Sequence, residues 1–306
     1  MRTAVIGAGG WGTALSLLLA EGGHDVTIWA RSVLRAEEIS RTRRNERYLK
    51  GITIPPPVFI TPDPEDLRNK DVYIFAVPSQ SLREVSKKLC SAISSETALY
   101  VSASKGIERH TLLRMTEIIR DTLDVNDKQI LSLSGPSHAE EVARKIPTVV
   151  VAAGSDPNAS RIVQDLFSLP YFRVYSTTDV KGVELAGALK NVIAICAGIL
   201  EGEGYGDNTI AALVTRGLAE MRRLGVALGA EGETFAGVAG LGDLIVTCLS
   251  KHSRNRFVGS ELGKGKKLDA ILAGMSMVAF SLSSVMSGSS GLITSPGLTR
   301  MSITST

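Results

Sequence analysis

Residues 2–29 read RTAVIGAGGWGTALSLLLAEGGHDVTIW, and this stretch decides how the N-terminal part of the chain folds. Arg2 to Ile6 is a short run of β-forming residues that ends in glycines. Thr13 to Glu21 carries apolar residues at helical spacing, and Asp25 to Trp29 is a second β-type run. The order strand, glycine turn, helix, strand predicts a βαβ unit of about 30 residues with a right-handed crossover.

The turn before the helix contains Gly7, Gly9 and Gly12 in the spacing G-x-G-x-x-G. At such a turn the first glycine permits the tight bend, the second lets the backbone approach a pyrophosphate, and the third allows close helix packing. Phosphate charge then lies at the helix N-terminus. A glycine turn without a ligand is the alternative, but the placement between strand and helix favours a dinucleotide site.

The end of the second strand bears on which nicotinamide cofactor fits. NAD-selective sites usually place Asp or Glu there for the ribose hydroxyls, whereas this chain reads Trp29-Ala30-Arg31. Arg31 can instead face a 2′-phosphate, so we expect NADP to be accepted beside NAD, with a solvated arginine as the alternative. The basic stretch RTRRNERYLK, which begins at Arg41, is predicted to be a solvated helical face.

Strand and helix patterns alternate beyond this unit. Short runs rich in Val, Ile or Leu predict buried parallel strands at Val72 to Val77, Ala98 to Ser102, Ile130 to Ser134 and Thr148 to Ala153. Helical patterns between them cover Gln80 to Cys90 and His110 to Leu123. The alternation predicts an α/β fold with a doubly wound sheet of the Rossmann type.

The alternation of strand and helix patterns ends near residue 180. From about Val183 long helical patterns follow without strands between them, and the last 26 residues are rich in serine. We therefore predict a dinucleotide-binding domain over 1–180, an incomplete all-α domain over 181–280 and an atypical tail over 281–306.

Composition excludes several functional classes. The chain is 44% hydrophobic and 21% charged, as ordinary globular proteins are. Because 34 basic residues nearly balance 31 acidic ones, the net charge of +3 gives no reason to expect a nucleic acid or a membrane surface as partner. The widely spaced Cys90, Cys196 and Cys248 are expected to be buried, reduced thiols, and no metal site is expected.

The N-terminus shows no apolar signal core ahead of the first strand. The longest apolar stretch, around Val192 to Leu200, is roughly half of the ~20 residues that span a bilayer. We expect a cytoplasmic protein without a transmembrane segment.

Lys190 is the leading candidate for proton transfer. It lies in ELAGALKNVIAICAGI, a segment so apolar that its helix should be buried, and burial lowers the pKa of a lysine toward the useful range. A lysine that snorkels to a helix surface is the alternative. Asp243, in AGLGDLIVT, can hold a lysine in place through a charge-assisted hydrogen bond, with a helix N-cap as its alternative role.

The stretch SRNRF follows soon after and brings together Ser253, Arg254 and Asn255. These side chains donate hydrogen bonds that suit phosphate oxygens, and arginine can bind two of them at once. A solvated basic turn is the alternative.

Seven segments in order, GAGGWGTA, SASKGIE, SGPSHAEEV, ALKNVIAI, TRGLAEM, GLGDLIVTC and SRNRFVG, resemble the bacterial NAD(P)-dependent glycerol-3-phosphate dehydrogenase family at matching separations. The resemblance extends from the first strand to about Val278. It implies an oxidoreductase that interconverts sn-glycerol 3-phosphate and dihydroxyacetone phosphate with NAD or NADP, a reaction that feeds glycerophospholipid synthesis.

The resemblance also implies roles for single residues. Lys190 would be the catalytic proton acceptor in one direction and the donor in the other, with Asp243 orienting it. Besides the glycines already named, those expected to contact the cofactor are Gly10, Trp11, Arg31, Lys105, Ala139 and Arg254. Those expected to contact the substrate are Lys105, Gly135, Ser137, Lys190, Asp243, Ser253, Arg254 and Asn255. Thr247 and Asn208 are further positions that the resemblance places in the same site.

The chain departs from the family at its C-terminal end, where Ala279, Phe280 and Ser281 stand in place of the family's Ala-Glu-Gly. The loss of resemblance suggests the hypothesis of a reading-frame shift near codon 279, which resequencing of the gene would test. A truncated relic that still binds dinucleotide is therefore one alternative function. A β-hydroxyacid dehydrogenase acting on a carboxylate is another, although SRNRF beside GLGD argues against it. The oligomeric state is left open, with a homodimer as one option.

Overall fold

Residues 1–275 form the part of the chain that this computed structural model describes. The predicted tail over 281–306, and the position near residue 279 where a frame shift is inferred, lie outside these residues. Within 1–275 the chain forms an eight-stranded sheet, a two-stranded hairpin and twelve α-helices.

The strands of the described chain are β1 (Arg2–Ile6), β2 (Asp25–Trp29), β3 (Arg44–Asn45), β4 (Leu49–Thr53), β5 (Phe59–Thr61), β6 (Val72–Phe75), β7 (Leu99–Ser102), β8 (Ile130–Ser134), β9 (Thr148–Gly154) and β10 (Phe172–Thr177). β3 and β4 pair as an antiparallel hairpin, and the others form one sheet in the order β10-β9-β8-β7-β6-β1-β2-β5. From β1 the chain runs outward through β2 to β5 and then returns to β6 on the other side of β1. The direction of winding therefore reverses between β1 and β6, which is where doubly wound sheets bind their ligands.

The helices of the first part are α1 (Gly10–Glu21), α2 (Val33–Thr42), α3 (Leu82–Ile93), α4 (Met115–Leu123), α5 (Ala139–Val142) and α6 (Pro157–Phe167). Those of the second part are α7 (Val180–Gly202), α8 (Asp207–Ala227), α9 (Gly232–Ala236), α10 (Asp243–Leu249), α11 (Arg254–Gly263) and α12 (Leu268–Gly274).

Both faces of the main sheet are buried. Alternate residues of the central strands enter two separate apolar clusters, one on each face, because successive side chains of a strand point in opposite directions. One cluster includes Val5, Ile28, Ile74 and Val101. The other includes Ile6, Trp29, Phe75 and Tyr100. This burial explains why the strands read as continuous apolar runs rather than as alternating ones.

The predicted α/β architecture with a helical second part is confirmed. Three details of the prediction are wrong. β8 and β9 pair antiparallel, not parallel. The basic stretch from Arg41 is not a helical face, because α2 ends at Thr42 and the chain enters the β3–β4 hairpin. The predicted strands omitted β5 and β10. The three cysteines are unpaired as expected, but only Cys248 is fully buried.

α7 is the central helix of the second part. It is 23 residues long and, by length and composition alone, apolar enough to cross a bilayer. The helix is therefore longer than the apolar stretch around Val192 to Leu200 that the sequence pattern indicated. Just over half of its most apolar window is buried, and it packs against α8, α10 and α11. It has the properties of the core helix of a folded domain. Leu224 and Val226 of α8, and Leu228 directly after it, are about half exposed.

Candidate active site

The glycine loop lies at the point where the winding of the sheet reverses. Gly7 has a φ of 118°, and a Cβ there would lie 2.6 Å from the carbonyl oxygen of Ala76, the residue after β6. A Cβ on Gly12 would overlap the Gly7 carbonyl oxygen, so α1 approaches the loop backbone directly. At Gly9 an added Cβ meets nothing within 4 Å. The first and last glycines are thus required by the fold, while Gly9 faces open space.

Other residues expected at the cofactor surround this loop. A Cβ on Gly10 would lie 2.8 Å from the Tyr48 carbonyl oxygen and 3.7 Å from the Cβ of Ala139. Trp11, the second residue of α1, is partly buried, and Arg31 is exposed just beyond β2. Since β1 and β2 end in register at Ile6 and Trp29, the loop and Arg31 emerge at the same edge of the sheet.

Four side chains from three distant segments meet at the centre of the candidate site. Asp243, the first residue of α10, binds the Lys190 ammonium through Oδ1, and its Oδ2 accepts a 2.7 Å hydrogen bond from Lys105. Lys190 Nζ also donates to Thr247 Oγ1 at 2.8 Å, and that hydroxyl donates to the Asp243 carbonyl at 2.6 Å. Lys105 Nζ donates in addition to the Gly135 carbonyl at 2.8 Å.

These contacts decide between the alternatives that the sequence left open. Lys190 is 6% exposed, so it does not snorkel to the surface of its helix. The Asp243 carboxylate binds two lysines and no backbone N–H at the start of α10. A π-helical turn over Val238–Gly242 leads into α10 and presents this carboxylate at the helix start.

Burial and neighbouring charge set the protonation of this cluster. Burial is the main cause that lowers the pKa of Lys190, to about 8; the Asp243 charge opposes this effect and the Lys105 charge adds to it. Burial alone would raise the pKa of Asp243, but the two lysine charges outweigh it and lower that pKa. The cluster therefore holds one carboxylate between two ammonium groups and carries a net positive charge that favours an anionic ligand.

α11 is fixed against α7 by glycines on both helices. Added Cβ atoms would overlap backbone of the other helix at Gly198 and Gly202 of α7 and at Gly259 and Gly263 of α11. Four-residue spacing places each pair on one helix face, so the two backbones come into contact. The N-terminal end of α11 is thereby held beside the middle of α7.

The three residues of the SRN motif occupy that end of α11. Ser253 is its buried N-cap, and its hydroxyl accepts from the Arg256 N–H at 3.3 Å. Asn255 Nδ2 donates to Asn191 Oδ1, next to Lys190, at 2.8 Å. Burial lowers the pKa of Arg254, while the nearby Glu140 and Tyr48 raise it. Arg254 therefore lies near α5 and the β3–β4 hairpin, on the side of the glycine loop.

Of the other residues predicted to line the substrate site, Ser137 lies near the lysine cluster and Asn208 lies on the surface. Ser137 donates to the Gly135 carbonyl at 3.0 Å, in the loop that Lys105 also binds. Asn208 is exposed in the first turn of α8. Sequence reasoning assigned no role to Asn191, although the quoted motif ALKNVIAI contains it.

His138 was also missed. Its Nε2 is buried without a hydrogen-bond partner in the described residues, and its ring centre lies 5.7 Å from that of His252. Burial lowers the pKa of His138. No feature of the sequence distinguishes it from a surface histidine. Residues 1–275 contain no group of three or more His, Cys, Asp or Glu side chains arranged to hold a metal ion.

Comparison with known proteins follows the same division of the chain. The family profile for the NAD-dependent glycerol-3-phosphate dehydrogenase N-terminus matches residues 2–160, and the profile for the C-terminus of that family matches residues 179–305. The second match runs past residue 279, where the resemblance read from the sequence was expected to end.

Individual relatives agree with the profiles. The chain is 52% identical over 277 residues to glycerol-3-phosphate dehydrogenase (NAD(P)+) 1 of Salinibacter ruber, covering 90% of this chain and 81% of that protein. It is 48% identical over 281 residues to glycerol-3-phosphate dehydrogenase (NAD(P)+) of Prosthecochloris aestuarii, covering 91% and 84%. The crystal structure of glycerol-3-phosphate dehydrogenase from Coxiella burnetii superposes with a TM-score of 0.84 at 35% identity, covering 90% and 84%. On these grounds the chain belongs to the NAD-dependent glycerol-3-phosphate dehydrogenase family.

Proposed function

We propose that this chain interconverts sn-glycerol 3-phosphate and dihydroxyacetone phosphate, with NAD or NADP as the cofactor. The observation that carries the proposal is the cluster of buried Lys190 and Asp243 with partly buried Lys105, next to a polar helix end. Membership of the family supplies the substrate. The alternative of a non-catalytic relic has less support, because the proton-transfer cluster is complete.

Proton transfer is assigned to Lys190. The bound nicotinamide supplies the acceptor or donor of a hydride. During oxidation of glycerol 3-phosphate, neutral Lys190 takes the proton of the hydroxyl group that becomes a carbonyl. In the reverse direction its ammonium returns that proton. A pKa of about 8 keeps both forms accessible near neutral pH.

Asp243 and Lys105 act on Lys190 and on the substrate. Asp243 fixes the position of the Lys190 ammonium, and Thr247 accepts a second of its hydrogen bonds. This leaves one N–H direction, or the lone pair of the neutral amine, for the substrate. Lys105 keeps a positive charge near the oxygen on which negative charge develops, which is the usual means of stabilising such a transition state.

The phosphate of the substrate is assigned to the N-terminal end of α11, with Ser253, Arg254 and Asn255. Asn255 donates a hydrogen bond to Asn191, the residue that follows Lys190 on α7, so this end of α11 lies beside the proton-transfer cluster. A phosphate held there is oriented relative to the proton-transfer cluster, and fixed orientation supplies a large share of the rate. Gly135 and Ser137 complete the substrate site from the Rossmann side.

The dinucleotide is assigned to the glycine loop. Gly9 faces open space at the start of α1, whose N–H groups suit a pyrophosphate. The loop glycines Gly7 and Gly12 shape this turn, and the contacts to the cofactor are assigned to Gly9, Gly10, Trp11, Arg31, Lys105, Ala139 and Arg254. The exposed Arg31 is the residue that allows NADP beside NAD.

We also propose where the enzyme acts and what it binds. It is a cytoplasmic supplier of glycerophospholipid precursor, without a nucleic-acid or membrane partner, and a homodimer is the assembly to test. We divide its domains at residue 180, with residues 181–280 assigned to the second domain.

The first experiment follows NADPH or NADH absorbance after dihydroxyacetone phosphate is added to the purified chain. Oxidation of NADPH or NADH that depends on dihydroxyacetone phosphate supports the proposed dehydrogenase activity. Fluorescence titration that shows NADPH binding without any turnover would support the relic instead. A carboxylate substrate such as a β-hydroxyacid serves as the specificity control and should give no reaction.

A further inference from the structure

The basic stretch RTRRNERYLK contains one buried polar side chain, Asn45, which lies against the glycine loop. Its Nδ2 donates to the Ala8 carbonyl oxygen at 3.0 Å and to Thr13 Oγ1 at 2.8 Å. Thr13 Oγ1 in turn donates to the Gly9 carbonyl oxygen at 2.8 Å. The Asn45 amide therefore contacts two successive carbonyl groups of the loop, that of Ala8 directly and that of Gly9 through the Thr13 hydroxyl. Its partners Thr13 and Ala8 lie 32 and 37 residues earlier in the chain.

The other side of the same amide is anchored to α2. Arg35 Nη2 donates to Asn45 Oδ1 at 2.9 Å, and the Arg35 guanidinium lies 4.6 Å from the centre of the Tyr48 ring. Since an arginine donates only and a backbone carbonyl accepts only, the oxygen of the Asn45 amide must face Arg35 and its nitrogen must face the loop. Every group of this amide has a defined partner.

The geometry of the peptide bond gives these contacts a consequence for the loop. In a planar trans peptide the C=O and the following N–H point in opposite directions. Holding the Ala8 carbonyl against Asn45 therefore turns the Gly9 N–H away from Asn45. A glycine-rich segment has unusual backbone freedom, so without such a restraint the Ala8–Gly9 peptide is free to rotate and present its carbonyl to a bound anion.

We propose that Asn45 is a positioning residue, which fixes the carbonyl groups of the glycine loop so that its N–H groups are directed at the pyrophosphate before the cofactor arrives. The inference rests on the proposed cofactor site. Orientation fixed in advance improves binding because the loop does not have to be ordered when the ligand enters.

The test compares three variants by fluorescence titration with NADH. Asn45→Ala removes the donors and the Arg35 partner together. Asn45→Asp keeps the shape and the partner of Arg35 but cannot donate to Ala8. Arg35→Met removes the anchor and leaves the Asn45 donors. We expect the dissociation constant for NADH to rise about tenfold or more in both Asn45 variants, and less than threefold in Arg35→Met.

Two outcomes overturn the proposal. An effect confined to Asn45→Asp would show that its added negative charge repels the cofactor. An effect of Arg35→Met equal to that of Asn45→Ala would show that Asn45 only holds the hairpin. Thermal unfolding of each variant is measured in parallel, so that loss of folding is not taken for loss of binding.

A second readout does not depend on the cofactor. Hydrogen–deuterium exchange of the ligand-free protein should become faster around residues 7–13 in Asn45→Ala and stay unchanged there in Arg35→Met. If the unaltered chain fails to bind NADH, the proposed function fails, and this exchange experiment still decides whether Asn45 braces the loop. Unchanged exchange in Asn45→Ala would refute the brace.

Discussion

The glycine loop and the Lys190 cluster, made of Lys105, Lys190 and Asp243, are assigned to their ligands on different physical grounds. The loop is made of backbone from one continuous segment, and the side chains nearest to it, at Asn45 and Thr13, carry no charge. The cluster is made of charged side chains from three segments, with Lys105 and Asp243 separated by 138 residues. The proposed contacts of the loop use partial charges that do not change with pH, whereas the proposed role of the cluster depends on which of its groups holds a proton.

The two regions are vulnerable to different substitutions. The loop has no room for added volume at Gly7 or Gly12, because neighbouring backbone already fills that space. The cluster is instead sensitive to loss of charge, since removal of the Asp243 carboxylate would leave two ammonium groups, one of them buried, without a counter-charge. Substitutions that test either region should therefore separate turnover, cofactor binding and folding.

The largest effect is expected for Lys190→Ala. Loss of the general acid and base should lower kcat by about a hundredfold to ten-thousandfold. The dissociation constant for NADH should hardly change, because the glycine loop is untouched. Stopped-flow or steady-state rates and NADH titration measure the two quantities. Lys181→Ala, on the same helix, is the matched control, and equal losses in both variants would remove Lys190 from its assigned role.

Glycine substitutions should divide the loop into positions needed for folding and a position needed for binding. Gly12→Ala forces a Cβ onto the Gly7 carbonyl and should lower the free energy of unfolding by about 3 kcal/mol. Gly9→Ala meets open space and should change that free energy by less than about 1 kcal/mol. It should nevertheless weaken NADH binding.

Urea unfolding and NADH titration of both glycine variants measure these expectations. Equal destabilisation by the two variants would contradict the division of the loop into a structural and a ligand-facing part.

The pH dependence should belong to the Lys190 cluster alone. With a pKa of about 8, neutral Lys190 becomes more abundant as pH rises, so glycerol 3-phosphate oxidation should accelerate through pH 8 and reduction of dihydroxyacetone phosphate should slow. Asp243 raises the pKa of Lys190 and Lys105 lowers it. The inflection should therefore move to lower pH in Asp243→Asn and to higher pH in Lys105→Met.

Rate profiles in both reaction directions measure these shifts, and NADH titration across the same pH range is the control. Shifts of the same sign in the two variants would argue against the electrostatic origin of the Lys190 pKa.

The smallest effect is expected at Arg31. Because it is exposed, its contact with a 2′-phosphate is screened by solvent. Arg31→Gln should weaken NADPH binding by about tenfold and leave NADH binding within about twofold. Titrations with the two cofactors at low salt measure the ratio. An unchanged ratio would return Arg31 to the role of a solvated side chain.

The local sequence pattern predicted the first βα turn correctly, because the glycine spacing and the adjoining strand and helix patterns that define such a turn lie within a few residues of one another. β1, β2 and β8 have the bounds that their apolar runs predicted. The direction of β9 was not predictable in the same way. A strand buried on both faces reads as a continuous apolar run whether its neighbour is parallel or antiparallel, so the antiparallel pairing with β8 leaves no mark on the sequence.

The basic stretch shows a different failure of pattern reading. Five of the ten residues in RTRRNERYLK are Arg or Lys, so their solvation dominated the interpretation. The residue of this stretch that hydrogen-bonds to the glycine loop is uncharged Asn45, and its partner Ala8 lies 37 residues earlier in the chain. An asparagine in a polar segment has no distinguishing neighbour pattern, and only the packing of the hairpin reveals its partners.

The sequence by itself determined that a strand, a glycine turn and a helix follow one another in the arrangement to which the dinucleotide is assigned, since this unit is built from adjacent backbone and its steric rules are local. Resemblance of motifs also named Lys190 and Asp243. The tertiary structure alone decided that both lysines share one carboxylate, that Asn255 donates to Asn191, and that Asn45 donates to the Ala8 carbonyl of the loop. These contacts join segments far apart in the chain, and the burial that sets their energies exists only after the segments have packed together.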